Sequence, residues 1–279
     1  MVNSRADYSQ QATQAAHMVM LELVHILGEY RDDIVLVGGW VPELLFGQAQ
    51  PRHIGSTDVD LAVNHRTIDE ERYRTILEHL QKQGYAEGRQ PFTFFRTVMV
   101  NGRPIKVQVD LLSGEYGGAG KKHRHQRVQN IKARKARGCD LAFEMAEEVK
   151  IEGTLPTGGK DIASVKVAGI VPFLVMKGMA LADRLKAKDA WDIDFCLRNY
   201  RGGNVALAEA LRPHLHNKLV AEGLAKIHGK FQSVTHIGPI SCADFEEITD
   251  RADRELRARD AFERVHDLLR RLGIVWGDP

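Results

Sequence analysis

Apolar residues recur along this chain first with a helical period and then with an alternating one. Met20, Leu21, Val24 and Leu27, widened by Leu23 and Ile26, predict a helix from about Ala12 to Tyr30. Ile34 to Val37 reads as a short buried strand, Gly38-Gly39 as a turn, Trp40 to Phe46 as a short helix ended by Gly47, and Gln48 to Gly55 as a loop carrying Pro51. In the stretch STDVDLAV, Val59, Leu61 and Val63 alternate with Asp58 and Asp60, the pattern of a strand buried on one side. Tyr73, Ile76, Leu77 and Leu80 form the stripe of a helix that stops at Gly84. Phe92 to Val100 then predicts a strand, Asn101-Gly102 a two-residue hairpin turn, and IKVQVDLL a strand with Lys106, Gln108 and Asp110 opposite Ile105, Val107, Val109 and Leu111.

The second half is patterned for helices. Val171 to about Ala187 reads as one, with Pro172 acceptable in its first turn. At about 100° per residue, Lys177, Arg184 and Lys188 fall on nearly one face and make a basic stripe. Asp189 and Asp192 open the next helix, whose apolar face uses Ile193, Phe195, Cys196 and Leu197. Further helices are expected near Val205 to Leu211, Leu219 to Gly229 and Ala243 to Leu272, with a loop from Ser233 to Pro239. The expected architecture is α+β: a sheet-bearing domain over 1–155 and a mainly helical domain over 156–279.

Composition narrows the class. At 279 residues, 43% hydrophobic and with a net charge of +2, the chain can bury a substantial core in one large or two medium domains. Cys139, Cys196 and Cys242 are far apart and odd in number, which argues against a disulfide framework and a zinc cluster alike. The start MVNSRADYSQ has no hydrophobic run, and the longest apolar stretch, around Val167 to Met176, is too short and broken to span a bilayer, so a cytoplasmic setting is expected. The twelve histidines show no metal-ligand spacing.

The carboxylates carry the chemistry. Asp58 and Asp60 share one strand face and Asp110 closes a second strand, beside a glycine-bearing turn. Magnesium binds hard oxygens, usually a few carboxylates plus substrate phosphates, and two ions about 3.5–4 Å apart can hold both oxygens of an in-line displacement. Each part also has a plainer reading: a lone DxD can be a solvated strand end, and a glycine pair can simply turn the chain. The order of elements is more informative than either motif.

A second charged feature is the run KKHRHQRVQNIKARKAR from Lys121 to Arg137, with eight Lys or Arg, two His and no acidic residue. It follows a glycine-rich stretch from Ser113 to Gly120 and can attract phosphate, with Lys121, Lys122, Arg124 and Arg127 as candidate RNA contacts. The plainer reading is a solvated loop or helix face, since nothing aromatic is interleaved to stack bases.

The arrangement resembles the DNA-polymerase-β-type nucleotidyltransferases with their mixed sheet and flanking helices, and within them the AbiEii-like toxins of type IV toxin–antitoxin systems. In that family a Gly-Gly pair precedes a Ser/Thr-x-Asp-x-Asp strand, matched by Gly38, Gly39, Ser56, Asp58 and Asp60. A lysine and a basic-Asp-x-x-Asp element follow, matched by Lys177 and by Lys188-Asp189-Ala190-Trp191-Asp192. The resemblance implies transfer of a nucleotidyl group from an NTP to an acceptor hydroxyl. Asp58 and Asp60 would hold two magnesium ions, Asp110 would hold the catalytic ion and help deprotonate the acceptor, and Gly38, Gly39 and Lys188 would contact the nucleotide. Lys177 would balance triphosphate charge and Asp189 would orient that lysine or the incoming hydroxyl. Many relatives have Gly-Ser where this chain has Gly39-Trp40, so a phosphate-binding hydroxyl would have to come from Ser56 or Thr57. Against this, Lys188 and Asp192 can be read as an ordinary i,i+4 surface pair. The implied acceptor is RNA, with a tRNA end favoured, and the implied protein partner an antitoxin. The alternatives are a small-molecule nucleotidyltransferase like the aminoglycoside-modifying enzymes, and an inactive relative that binds a nucleotide or a partner.

Overall fold

The computed structural model of the chain describes residues 4–114, 125–128 and 131–275. Two compact units result: a sheet-bearing unit of Ser9–Leu45 and Gly55–Gly169, and a helical unit of Met1–Tyr8, Phe46–Ile54 and Ile170–Pro279. Among the described residues no helix is long and apolar enough to cross a membrane.

The sheet-bearing unit begins with α1 (Gln10–Ile26), whose first turn is capped by the Ser9 hydroxyl accepting from the Ala12 amide at 3.2 Å. Then come β1 (Ile34–Val37), α2 (Val41–Leu45), β2 (Asp58–Val63) and α3 (Glu70–Lys82), the last capped by Asp69. A two-residue β3 (Ala86–Glu87) precedes β4 (Thr93–Val100) and β5 (Arg103–Ser113). Asn101 and Gly102 join β4 to β5 with φ of 50° and 74°, the doubly left-handed turn that matches strand twist. After β6 (His125–Val128), β7 (Ile131–Lys135) and α4 (Asp140–Glu144), a long hairpin of β8 (Ala146–Thr154) and β9 (Lys160–Ala168) ends the unit.

The strands form one mixed sheet in the order β3-β4-β5-β2-β1-β9-β8, with the β6–β7 hairpin branching from β5. β4 begins at Thr93 opposite Asp110, and β7 takes up the same edge of β5 beyond it, at Leu112 and Ser113. Arg96, paired with Val107, reaches Glu22 of α1 through two 3.0 Å bonds, so α1 covers the face to which Val107 points. Val59, Leu61, Val107, Val109 and Leu111 are buried on that side. Asp58, Asp60, Gln108 and Asp110 therefore project from the other.

Several sequence expectations need correction. The β8–β9 hairpin was not anticipated; its charged residues, such as Glu147, Glu148, Lys150 and Lys166, mask the strand alternation. β9 pairs with β1 at Leu36↔Val167, which carries the sheet-bearing unit to Gly169 rather than to a boundary at 155. Two strands lie in the basic run, for which a solvated loop or helix face was the plainer reading; Arg127 is on β6, with its side chain outside the described residues, as are Lys121, Lys122 and Arg124 altogether.

In the helical unit, α5 (Ile170–Arg184) carries Lys177, and α6 (Ala187–Asn199) carries Lys188, Asp189 and Asp192. α7 (Gly203–Leu211) and α8 (Lys218–Lys230) follow near their expected positions. The single helix expected from Ala243 to Leu272 is instead α9 (Ile237–Phe245) and α10 (Arg251–Arg271). Glu247, at φ 57°, turns the chain between them, and Asp250 caps α10 by accepting from the Asp253 amide at 3.0 Å. The core of this unit gathers Tyr8, Trp191, Phe195 and Phe245, with Phe46, Ala49 and Ile54 packed against it. Ala49 and Ile54 of the expected loop, with Phe46 just before it, thus account for its position in the helical unit.

Candidate active site

β2 and β5 run parallel with Asp60 opposite Asp110 and Asp58 opposite Gln108. Neighbouring strands lie about 4.8 Å apart, so paired residues that share a face bring their side chains together. Asp110 is only 5% exposed, and both its oxygens are engaged: Thr93 Oγ1 donates to Oδ1 at 2.6 Å and Gln108 Nε2 to Oδ2 at 2.9 Å. On β2, the Ser56 hydroxyl donates to Asp58 Oδ1, and the indole N–H of Trp40 donates to the Asp58 carbonyl at 2.9 Å. Ser56 is buried and turned toward Asp58, leaving Thr57, which is half-buried, as the other hydroxyl of that loop.

Gly38 completes the arrangement. Its φ is +75°, and a Cβ there would lie 2.0 Å from Asp60 Oδ2, so any side chain would displace the carboxylate. Gly39 and Trp40 continue from it as one turn of 3-10 helix. The positive φ falls on Gly38, not on Gly39. Nearby, Cys139 is fully buried; burial first, then the carboxylates of Asp140 and Asp60, push its thiol well above the ordinary range. All three cysteines are buried and free.

Among the described residues no group of three or more His, Cys, Asp or Glu side chains is arranged so that it could hold a metal ion. The donor set of Asp58, Asp60 and Asp110 nonetheless suits magnesium in kind: hard oxygens on two adjacent strands, with Gly38 making room for the Asp60 carboxylate. Magnesium ordinarily takes one or two carboxylates and completes its shell with water and substrate phosphate.

The remaining predicted residues lie together in the helical unit. Lys177 Nζ meets Asp189 Oδ1 at 2.8 Å and Asp192 Oδ2 at 2.6 Å, while Lys188 Nζ meets Asp192 Oδ1 at 2.8 Å. Arg184 forks onto Asp189 at 2.7 and 2.9 Å. The Lys188–Asp192 pair does have i,i+4 spacing, but it is buried rather than on the surface, with Asp192 at 0% exposure. Burial opposes the Lys177 ammonium, yet Asp189 and Asp192 outweigh it and hold the group above its usual value. Lys188 is shifted down by burial, with Lys177 adding to the effect. The difference is reasonable because three cations here share two carboxylates.

His53 was not anticipated by sequence reasoning. Its Nε2 lies 2.9 Å from Asp192 Oδ1, and its ring packs on Trp191 and Phe195 at 4.9 and 4.8 Å. Burial, then Lys188, lowers its pKa to about 4, so at neutral pH it is uncharged and donates one N–H to Asp192. No spacing rule joins residues 139 apart, and the only hint was a polar ring in a loop that also carries Ile54. Thr93 was findable. A two-residue turn pairing Val100 with Arg103 sets Thr93 opposite Asp110.

No curated protein and no solved structure matches the chain. A family model described as nucleotidyl transferase AbiEii toxin, type IV toxin–antitoxin system, matches residues 23–270, which include both the carboxylate strands and the Lys177–Asp192 network. The chain belongs to the AbiEii family of nucleotidyltransferase toxins.

Proposed function

We propose that this nucleotidyltransferase acts on RNA, with a tRNA end as the favoured acceptor and an NTP as donor. An acceptor hydroxyl oxygen bonds to the α-phosphorus, the bond from that phosphorus to the β-phosphate oxygen breaks, and pyrophosphate leaves. The observation that carries the reading is the pairing of Asp60 with Asp110 on parallel strands, with Asp58 two residues along the same face. Magnesium held by these carboxylates would neutralise phosphate charge and polarise the acceptor oxygen.

The chain's own residues supply the rest. Asp110, fixed by Thr93 and Gln108, would take the proton of the acceptor hydroxyl. Ser56 orients Asp58, and the Gly38-Gly39 turn would offer backbone amides to phosphate. Thr57 is left as the hydroxyl for phosphate contact. In the helical unit, Asp189 and Asp192 keep Lys177 charged and fixed, as a triphosphate-binding ammonium requires, and Lys188 lies beside it. The basic run containing Lys121, Lys122, Arg124 and Arg127 supports a polyanionic acceptor. Membership of a toxin–antitoxin family supports an antitoxin as the protein partner.

The test is to incubate the purified protein with each α-labelled NTP, magnesium and total cell RNA. Label in RNA supports the reading. Label only in protein or in an added small hydroxyl compound refutes the RNA acceptor, and no label in any of them refutes transfer.

A further inference from the structure

The face of the sheet that bears the carboxylates continues past Asp110 onto β4. Thr93 pairs with Asp110, Phe95 with Gln108, Thr97 with Lys106 and Met99 with Pro104, so these residues line one strip that runs from the carboxylates to the β4–β5 turn. Unlike the α1 face, this strip stays open: Thr97, Lys106 and Pro104 are exposed, Met99 is 56% exposed and Phe95 is half-buried. Lys106 Nζ stands 4.0 Å from the centre of the Phe95 ring. Gly88 lies against the ring's edge, where a Cβ would meet Cε2 at 3.0 Å. An aromatic ring beside an exposed cation, on the sheet face that also bears Asp58, Asp60 and Asp110, has no structural duty comparable to that of Phe94 on the buried side.

We propose that Phe95 and Lys106 form the stacking platform for the terminal nucleobase of the acceptor RNA, with Lys106 moving from the ring to the adjoining phosphate as the base arrives. This rests on the RNA reading above. The strand order selects the acceptor over the incoming nucleotide. In-line displacement places the attacking hydroxyl and the leaving pyrophosphate on opposite sides of the reacting phosphorus. The Gly38 turn follows β1 on one side of the carboxylates, and Phe95 on β4 lies on the other. A triphosphate at the glycine turn leaves the β4 side to the acceptor. The exchange at the ring is favourable because base–aromatic stacking is stronger than an exposed cation–π contact. The released ammonium gains a phosphate.

The test is direct binding of a short single-stranded RNA with 2-aminopurine at its 3′ end, without NTP or magnesium, followed by fluorescence quenching. The parent should quench the probe, Phe95→Ala should weaken binding about tenfold or more, and Phe95→Trp should restore it. Lys106→Gln should lower the salt dependence by about one phosphate contact while keeping the quench. Thermal melting guards against misfolding of Phe95→Ala, and Lys106→Gln, on an exposed side chain, gives an independent reading. No quenching by the parent, or equal affinity for Phe95→Ala, overturns the platform. So does a rise in NTP KM with RNA KM unchanged, which would make it a donor-base site. Because the probe is read without turnover, quenching that depends on Phe95 supports the platform even if label transfer to RNA fails, in which case only the catalytic reading falls.

Discussion

Asp60 and Asp110 face each other on adjacent parallel strands, and they differ in burial. Asp110 is buried with two hydrogen-bond donors on its oxygens, whereas Asp60 is half-buried against the bare backbone of Gly38. Their substitutions should therefore separate stability from activity. Asp60→Asn relieves repulsion between neighbouring carboxylates and should leave unfolding free energy unchanged or raised by up to about 1 kcal/mol. Asp110→Asn replaces one accepting oxygen with a donating amide, sets it against one of the two donors, and should cost about 1–3 kcal/mol. Urea denaturation checks both; a larger loss for Asp60→Asn than for Asp110→Asn would contradict the roles assigned.

Gly38 and Gly102 have nearly the same φ, +75° and +74°, but differ in what surrounds them. Nothing lies within 4 Å of a Cβ at Gly102, so Gly102→Ala should cost only the left-handed backbone penalty of about 1–2 kcal/mol. Gly38→Ala adds the clash with Asp60, and should cost more and abolish turnover. Equal melting shifts for the two variants would show that Asp60 does not press on Gly38.

Much of this was legible in the sequence. Alternation in STDVDLAV and IKVQVDLL put the three aspartates on polar strand faces, and Asn101-Gly102 fixed the hairpin register. The β8–β9 hairpin was not legible because its alternation is hidden by charged residues on both faces. The break between α9 and α10 rests on a left-handed Glu247, a residue type that gives no local signal for that conformation. His53 depended on a contact 139 residues distant, which periodicity does not report.

Lys177 distinguishes a buried network from a surface stripe. Removing its ammonium leaves Asp189 and Asp192 with fewer cations in a buried setting, so Lys177→Met should destabilise the fold by about 3 kcal/mol. A surface lysine would change stability by no more than about 0.5 kcal/mol. Chemical denaturation decides, and a change within that smaller range would contradict the network.

His53 sets a pH dependence of stability. Its pKa falls from 6.5 to about 4 on folding, so above pH 6.5 it is neutral in both states and its contribution is complete. Between 6.5 and 4 the unfolded chain takes up the proton while the folded chain does not, and stability falls as pH drops, by at most about 3 kcal/mol. Glutamine keeps a side-chain donor for Asp192 without titrating. Melting temperature should therefore fall less between pH 7 and 5 in His53→Gln than in the parent; equal slopes would remove His53 as the cause.

The most direct measurement of the central claim is incorporation of α-labelled NTP into RNA whose 3′ ends are either intact or oxidised with periodate, using the parent and Asp60→Asn. Magnesium-dependent label on intact ends only, and none with Asp60→Asn, is the result the account predicts. Label that persists on oxidised RNA would move the acceptor away from the 3′ hydroxyl, and label that persists with Asp60→Asn would contradict the carboxylate pair as the catalytic centre.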